Sequence, residues 1–376
     1  MKVLLLLLCL LFIVYTAVIG LLVYGFSKVK AFEVNFSVPK TAFSIIIAFR
    51  NEELHLPELL QSLSRLNYPK DLFEIIMVDD YSADNSMNVI SGWQKENPGL
   101  DLTVLQNRRV SNSPKKDAIT TAISAAKYDW IITTDADCEV RENWLSAMNG
   151  YIETNPVEMI AGPVNFPVNG SFLSHFQQMD MLSLQGATIG SFGLDKAFMC
   201  NGANFAYTKQ LFLKLGGFDG NTHISSGDDV FLLQKAMAAF PKKVGYLKSR
   251  QAIVTTKTEE SWPALFRQRM RWASKATAYR SGFSKGLAGI VFMANLSIVC
   301  AGLFTVLGWM DWRFLLVLFS VKFTFDSLLM YKTNKLLRMC MHSVVLSSLA
   351  YPFFSTAVAL YSLVGNFEWK GRKFKS

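Results

Sequence analysis

Ser44–Val78, SIIIAFRNEELHLPELLQSLSRLNYPKDLFEIIMV, decides the fold. It opens on one apolar run, Ser44–Phe49, and closes on another, Glu74–Val78. Both are short and rich in isoleucine, as strands buried on both faces are. Between them Leu54–Leu63 reads as a helix. A strand, a helix and a second strand at this spacing form a βαβ unit, which implies a parallel sheet. The pattern continues outward. Leu102–Leu105 and Trp130–Thr134 are further strands, and Ser86–Lys95 and Lys116–Ala126 further helices. Lys40–Thr255 is therefore an α/β region, with Phe32–Pro39 as a short linker before it. Ligands of such sheets bind beyond the carboxyl ends of the strands. Polar residues that directly follow a strand are the ones to inspect for chemistry.

The flanks have a different character. Val3–Ser27, Gly286–Met310 and Ser343–Phe367 carry no charge. Each exceeds the roughly 20 apolar residues that cross a bilayer. The first is too long for the usual core of a cleaved signal peptide and reads as an uncleaved anchor. Phe314–Met330 is apolar but holds Lys322 and Asp326, four apart. On a helix these share a face and can pair, so the segment is either a paired span or an interfacial helix. Ser261–Ser281, with Trp262, Phe266, Met270, Trp272 and Tyr279, reads as a basic amphipathic helix suited to the membrane interface.

Composition agrees with this division. Of the 376 residues 51% are hydrophobic and 18% charged, and the formal net charge is +9. Much of the excess lies beside the apolar stretches, at Lys28, Lys30 and Lys40, at Lys332, Lys335 and Arg338, and at Lys370, Arg372, Lys373 and Lys375. That is juxtamembrane placement, which marks a cytoplasmic side facing anionic lipid. No nucleic-acid motif accompanies it, so nucleic acid is not expected as a partner. The five cysteines, Cys9, Cys138, Cys200, Cys300 and Cys340, form no CxxC pair and no disulfide framework. The soluble region is accordingly expected in the reducing cytosol.

Five clusters carry chemistry. Asp79 and Asp80 follow the second strand, where a carboxylate can accept hydrogen bonds from a base or ribose; the plain structural alternative is an Asx-turn or a cap through Ser82 or Asp84. Asp135 and Asp137 follow the strand WIITT. Alternate residues of extended backbone point the same way, so both can face one hard cation, Mg²⁺ or Mn²⁺, together with diphosphate oxygens. Asp228 and Asp229 stand at a helix start, either complementing its dipole or supplying a general base. Gln268, Arg271 and Trp272, in QRMRW, offer a planar fork for phosphate and a flat face for a sugar, or simply an interfacial belt. Lys115 and Lys116 open a helix against its dipole, which points to an anionic ligand or to a solvated face.

Taken in order, these pieces resemble the family 2 glycosyltransferases, the group that includes cellulose, chitin and hyaluronan synthases. The resemblance covers about Phe43–Trp272. VDDYSADNS resembles the VDDGS-type segment with Tyr81 in the glycine's place, and SPKKDAI the G-K-x-x-A-L segment with Pro114 in the glycine's place. DAD resembles the metal-binding D-x-D, CNGANFAYTKQLFLKLGGFD the segment that ends in GGFD, SGDDVFLL the later E/D-D motif, and QRMRW the Q-x-x-R-W motif. The resemblance implies a GT-A domain, Rossmann-like with a mostly parallel sheet, and an inverting transfer from a nucleotide sugar, with a UDP-sugar the expected donor. It gives Asp79, Asp80 and Lys115 to the nucleoside, Asp135 and Asp137 to the metal and diphosphate, Asp229 to the base beside Asp228, and Gln268, Arg271 and Trp272 to closure of the diphosphate and acceptor site.

The expected organisation is an anchor at 1–27, a GT-A domain at 40–260, an interfacial helix at 261–285, transmembrane or interfacial helices at 286–367 and a basic tail at 368–376. The expected product is a single transfer to a lipid or lipid-linked acceptor hydroxyl, by a multi-pass inner-membrane protein with a cytoplasmic catalytic domain. A processive polysaccharide synthase is the alternative that QRMRW favours, and the small membrane part speaks against it. A non-catalytic membrane scaffold is the second alternative, and the retained acidic motifs speak against that.

Overall fold

The computed structural model describes residues 2–34, 38–167, 169–224, 226–275, 281–339, 341–363, 367–369 and 372–374. Tyr279, Cys340, Lys370 and Lys375 lie outside them, as do three residues of the expected linker. In chain order the helices are α1 (Lys2–Lys28), α2 (Leu56–Ser64), α3 (Ser86–Glu96), α4 (Pro114–Ala125), α5 (Trp144–Thr154), α6 (Phe172–Gly193), α7 (Lys209–Lys214), α8 (Asp228–Ala239), α9 (Trp262–Ser274), α10 (Gly282–Val306), α11 (Trp312–Leu337) and α12 (Val344–Ser362). The strands are β1 (Phe43–Phe49), β2 (Phe73–Asp79), β3 (Leu102–Gln106), β4 (Trp130–Thr133), β5 (Cys138–Glu139), β6 (Met159–Ala161), β7 (Val164–Asn165), β8 (Phe205–Thr208), β9 (Val244–Tyr246), β10 (Val254–Thr256), β11 (Phe367–Trp369) and β12 (Arg372–Phe374). They divide into two compact units. One is Lys30–Pro167 with Met199–Lys257; the other is Met1–Val29, Val168–Phe198 and Thr258–Ser376.

The first unit is the α/β one. Its seven-stranded sheet has the order β3-β2-β1-β4-β8-β6-β9. β1 pairs in parallel with β2 and β4, β2 with β3, and β6 with β9, while β8 runs antiparallel to both its neighbours. The mostly parallel sheet read from the sequence is therefore present. The isoleucine-rich runs are the central strands: every residue of β2 is buried, as are all of β1 except Ala48. Leu56, Leu59, Leu60 and Leu63 of α2 close over one face of this core. Such burial on both faces is what a continuous apolar run requires. Ser44 donates to Glu74 Oε1 at 2.6 Å inside this core, so the polar residues that open β1 and β2 satisfy each other. A second, three-stranded sheet has the order β5-β10-β7. Phe32, within the expected linker, donates its amide to the Lys248 carbonyl and sets its ring edge-on to Tyr151.

Strand order reverses at β1. The chain runs outward through β2 and β3, then returns to place β4 on the other side of β1. The crevice beyond the carboxyl ends of β1 and β4 is thus the switch point, where α/β sheets bind ligands.

The second unit is built on apolar helices. α1, α10, α11 and α12 are long and apolar enough to cross a membrane. Val3, Leu6, Leu10 and Ile13 of α1 stay exposed, as a lipid-facing surface does. α6, inside the 40–260 stretch, groups with these helices. Its backbone touches that of α1 so closely that a Cβ added at Gly193 would stand 1.9 Å from the Gly25 carbonyl oxygen, and one added at Gly25 2.1 Å from that of Gly190. Glycine is required there for the helices to meet at all. On α11 the expected pair forms: Lys322 Nζ donates to Asp326 Oδ2 at 2.6 Å, and the Tyr15 hydroxyl of α1 donates to the same carboxylate. Pairing removes the cost of isolated charges in an apolar helix. β11 and β12 pair antiparallel.

Candidate functional site

The residues that follow β1, β2, β3 and β4 converge on the switch point, and hydrogen bonds lace their loops together. Asn51 Oδ1 accepts from the Ala83 amide at 2.8 Å, and Ser82 Oγ from the Asn51 amide at 3.0 Å. Asp79 turns its carboxylate back onto the loop. Its Oδ1 accepts from the Ser82 amide at 2.9 Å, and its Oδ2 lies 3.4 Å from Gln106 Nε2. The turn alternative weighed for this aspartate is therefore also present in its geometry. Asp80 is buried and accepts at Oδ1 from Asn107 Nδ2 (2.7 Å) and from Arg109 Nε (2.5 Å). Arg109 also donates to the Asp80 carbonyl at 2.8 Å.

The DAD segment does not reach its geometry through extended backbone. Residues 136 and 137 form a turn closed by the Cys138 amide on the Asp135 carbonyl at 3.2 Å. The turn still converges the side chains: carboxylate oxygens of Asp135 and Asp137 and the Cys138 sulfur lie within 4.8 Å of one another. The two carboxylates are hard donors and suit Mg²⁺ or Mn²⁺. Burial, with Asp137 and Asp135 alongside, pushes the Cys138 thiol up, and sulfur is a soft donor that hard cations do not favour. The donor set that fits is therefore the aspartate pair.

Lys115 reaches this pair. Its Nζ donates to Asp135 Oδ1 at 2.6 Å and lies 3.6 Å from Asp228 Oδ2. Burial opposes its charge, but Asp135, Asp228 and Asp229 outweigh that and hold its pKa above the usual lysine range. It is cationic throughout the physiological range. Pro114, in place of glycine, occupies the first turn of α4, where its missing N–H costs nothing. Lys116 does something else. It is 1% exposed and donates to the carbonyls of Asn221 (2.7 Å) and Ile224 (2.8 Å), which ties down the loop leading to α8.

α8 begins after Gly227, whose φ of 80° is left-handed. Asp228 is buried and Asp229 is partly exposed. Both Asp229 oxygens accept from backbone amides, Oδ2 from Gly202 at 2.8 Å and Oδ1 from Val230 at 2.7 Å. Gly202 packs closely on this group: a Cβ there would stand 3.2 Å from Asp228 Oδ2, which would have to give by a few tenths of an ångström, and 3.5 Å from Asp229 Oδ2 and Lys115 Nζ. Lys115, Asp135, Asp228 and Asp229 thus form one charged group across the ends of β4, α4 and α8.

Three buried polar atoms in these loops, Asn107 Oδ1, Ser113 Oγ and Thr134 Oγ1, have no hydrogen-bond partner among the described residues. Such atoms are uncommon in folded proteins and concentrate where a ligand or water completes the structure. Asn107, Arg109 and Gly202 were not singled out from the sequence. Asn107 and Arg109 follow a strand end, β3, and the rule that selected Asp79 and Asp135 would have selected them too.

Gln268, Arg271 and Trp272 lie on α9, in the helical unit. Gln268 Nε2 donates to Glu259 Oε1 at 2.6 Å, and Glu259 in turn exchanges two hydrogen bonds with Gln177 of α6. Between the motif residues, buried Arg269 donates to Asp180 of α6 at 2.6 Å, and its guanidinium lies 4.1 Å from the Trp272 ring centroid. The motif is thereby fastened to α6.

The family model "Glycosyl transferase family 2" matches residues 44–216. "Probable glycosyltransferase YdaM" of Bacillus subtilis is 25% identical over 263 residues, 66% of this chain and 60% of that protein. "Poly-beta-1,6-N-acetyl-D-glucosamine synthase" of Staphylococcus epidermidis is 25% identical over 264 residues, 68% of this chain and 61% of that one. The chain thus spans about three fifths of the length of these two relatives. In structure it is similar to the mannosyltransferase PcManGT from Pyrobaculum calidifontis, solved in complex with GDP-Man and Mn²⁺, with a TM-score of 0.56 at 17% identity over 93% of this chain and 99% of the other. Motif order and the mostly parallel sheet agree with this match: residues 44–216 are similar to the glycosyl transferase family 2 model.

Proposed function

We propose that this protein transfers a sugar, with inversion, from a nucleotide-diphosphate donor to an acceptor hydroxyl presented at a membrane. The observation that carries the reading is the convergence of Asp135, Asp137, Lys115 and the Asp228–Asp229 pair at the switch point. Asp79 and Asp80 hold the nucleoside loop, Asp80 through Arg109 and Asn107. Asp135 and Asp137 hold Mg²⁺ or Mn²⁺, which when bound supplies positive charge to the diphosphate leaving group. Lys115 adds a second positive charge at the same place. Asp229 takes the acceptor proton, and Asp228 keeps Lys115 in position. By the family resemblance, Gln268, Arg271 and Trp272 are the residues to test for a part in diphosphate and acceptor binding.

A lipid or lipid-linked acceptor is supported by the four candidate membrane helices, and a UDP-sugar is the donor we expect. The cysteines agree with a catalytic domain on the cytoplasmic face of the inner membrane: Cys138 and Cys200 are free thiols buried in the α/β unit.

Purified protein in detergent, offered UDP- and GDP-sugars with a lipid extract, should release the nucleoside diphosphate. Chelation should stop release and Mn²⁺ or Mg²⁺ restore it. Asp137→Asn should lose most activity, because a single carboxylate offsets less charge. Full turnover in chelator would exclude the metal reading. Product size separates one transfer from a growing polymer.

A further inference from the structure

Tyr81 is the largest departure of the nucleoside loop from the family pattern, and its conformation is unusual. Its φ is 60°, in the left-handed region that glycine enters freely and aromatic residues rarely occupy. Strain of this kind persists only where the surroundings hold it, and it collects at ligand sites. The surroundings do hold it: the residues just before and after Tyr81 are bonded to Asn51, Arg50, Asn107 and Arg109. Core packing does not explain the ring, because Tyr81 is 51% exposed. What the ring does have is a support. The Arg109 guanidinium lies 4.4 Å from its centroid, and Arg109 is itself fixed by two hydrogen bonds to Asp80. A planar aromatic side chain is thus braced on one side, left half in solvent, and set at the carboxyl end of β2 beside the crevice where such sheets bind nucleotides.

We propose that Tyr81, braced by Arg109, is the stacking platform for the nucleobase of the donor. This rests on the nucleotide-sugar reading above and adds to it a specific contact with the base. Stacking is tolerant of base identity, since every base has a π-face. Tyr81 therefore contributes affinity for uridine and guanosine diphosphates alike, and the choice between them is made by hydrogen bonds elsewhere in the loop.

The experiment titrates UDP, GDP and inorganic pyrophosphate, each with Mn²⁺, into the full-length protein and into Tyr81→Gly, Tyr81→Asn and Tyr81→Phe. Glycine and asparagine both accept the left-handed backbone, so the loop keeps its shape while the ring is lost. The two ringless variants should bind UDP and GDP about tenfold more weakly, within the range reported for loss of one base–aromatic stack. They should bind pyrophosphate as the wild type does, and Tyr81→Phe should match the wild type for all three. Wild-type UDP and GDP affinity in both ringless variants would overturn the proposal. An equal loss of pyrophosphate binding would overturn it too, by assigning Tyr81 a role in loop folding. A wild-type protein that binds none of the three would remove the nucleotide-sugar reading itself, and the stacking role with it.

Discussion

Asp229→Asn is the substitution whose consequences the geometry specifies most closely. On sequence alone it keeps shape and removes proton affinity. In the structure the shape includes two acceptors, since Oδ1 and Oδ2 each take a backbone amide, from Val230 and Gly202. Asparagine offers one oxygen, and its NH₂ group must face the other N–H. Losing one hydrogen bond to a charged acceptor costs roughly 1.5–3 kcal/mol. For a domain of this size that lowers the melting temperature by a few to about 10 °C. Removing a general base costs about 10²–10⁴ in rate, or roughly 3–5 kcal/mol in the barrier. The rate loss is the larger effect, and the two separate by measurement well below the melting point. The assay is nucleoside-diphosphate release at saturating donor and acceptor, with donor affinity and melting temperature measured on the same preparation. Turnover should fall at least 100-fold while donor affinity stays within a few-fold. Asp228→Asn is the control. It loosens the hold on Lys115 (3.6 Å) and should slow turnover less than tenfold. Normal turnover in Asp229→Asn, or collapse in Asp228→Asn alone, would refute the assignment and leave Asp229 as a brace for the Gly202 loop.

Three further outcomes follow from the packing. Lys116→Met should destabilise the α/β unit by about 2–4 kcal/mol, because two buried carbonyls lose their donor; unchanged thermal unfolding would show that the loop before α8 does not depend on it. Lys322→Leu alone should reduce the yield of folded protein in detergent, as Asp326 is left unpaired, and adding Asp326→Leu should recover part of it; equal yields for both would show that the ion pair carries no weight. The chain should stay in the membrane fraction through a high-salt wash, and Lys40–Ser281 should resist protease added outside intact cells; digestion there would reverse the proposed sidedness.

The sequence was legible where one physical rule acts locally. Isoleucine-rich runs can only be strands buried on both faces, so β1 and β2 were found to within a residue or so, and the switch-point rule then pointed at Asp79 and Asp135. It was less legible where a contact joins distant segments. No pattern near Asp229 says that the Gly202 amide will bind its carboxylate, and nothing beside Lys116 announces that it will turn from the site to carbonyls more than a hundred residues away. Asp135 and Asp137 converge as expected, but through a turn, because spacing alone does not distinguish a turn from an extended pair. α6 carries a signal that the α/β alternation masks. Gly186 and Gly190, four apart, meet Leu329 and Thr333 of α11 and Leu22 of α1, the small-residue spacing that lets apolar helices touch. Asp180 of the same helix holds Arg269, and Gln177 meets Glu259, the partner of Gln268. The motif in α9 and the glycines in α6 are therefore two parts of one arrangement. A residue of α6 that disturbs its packing on α1 should reach Trp272 through Asp180 and Arg269 without touching any substrate.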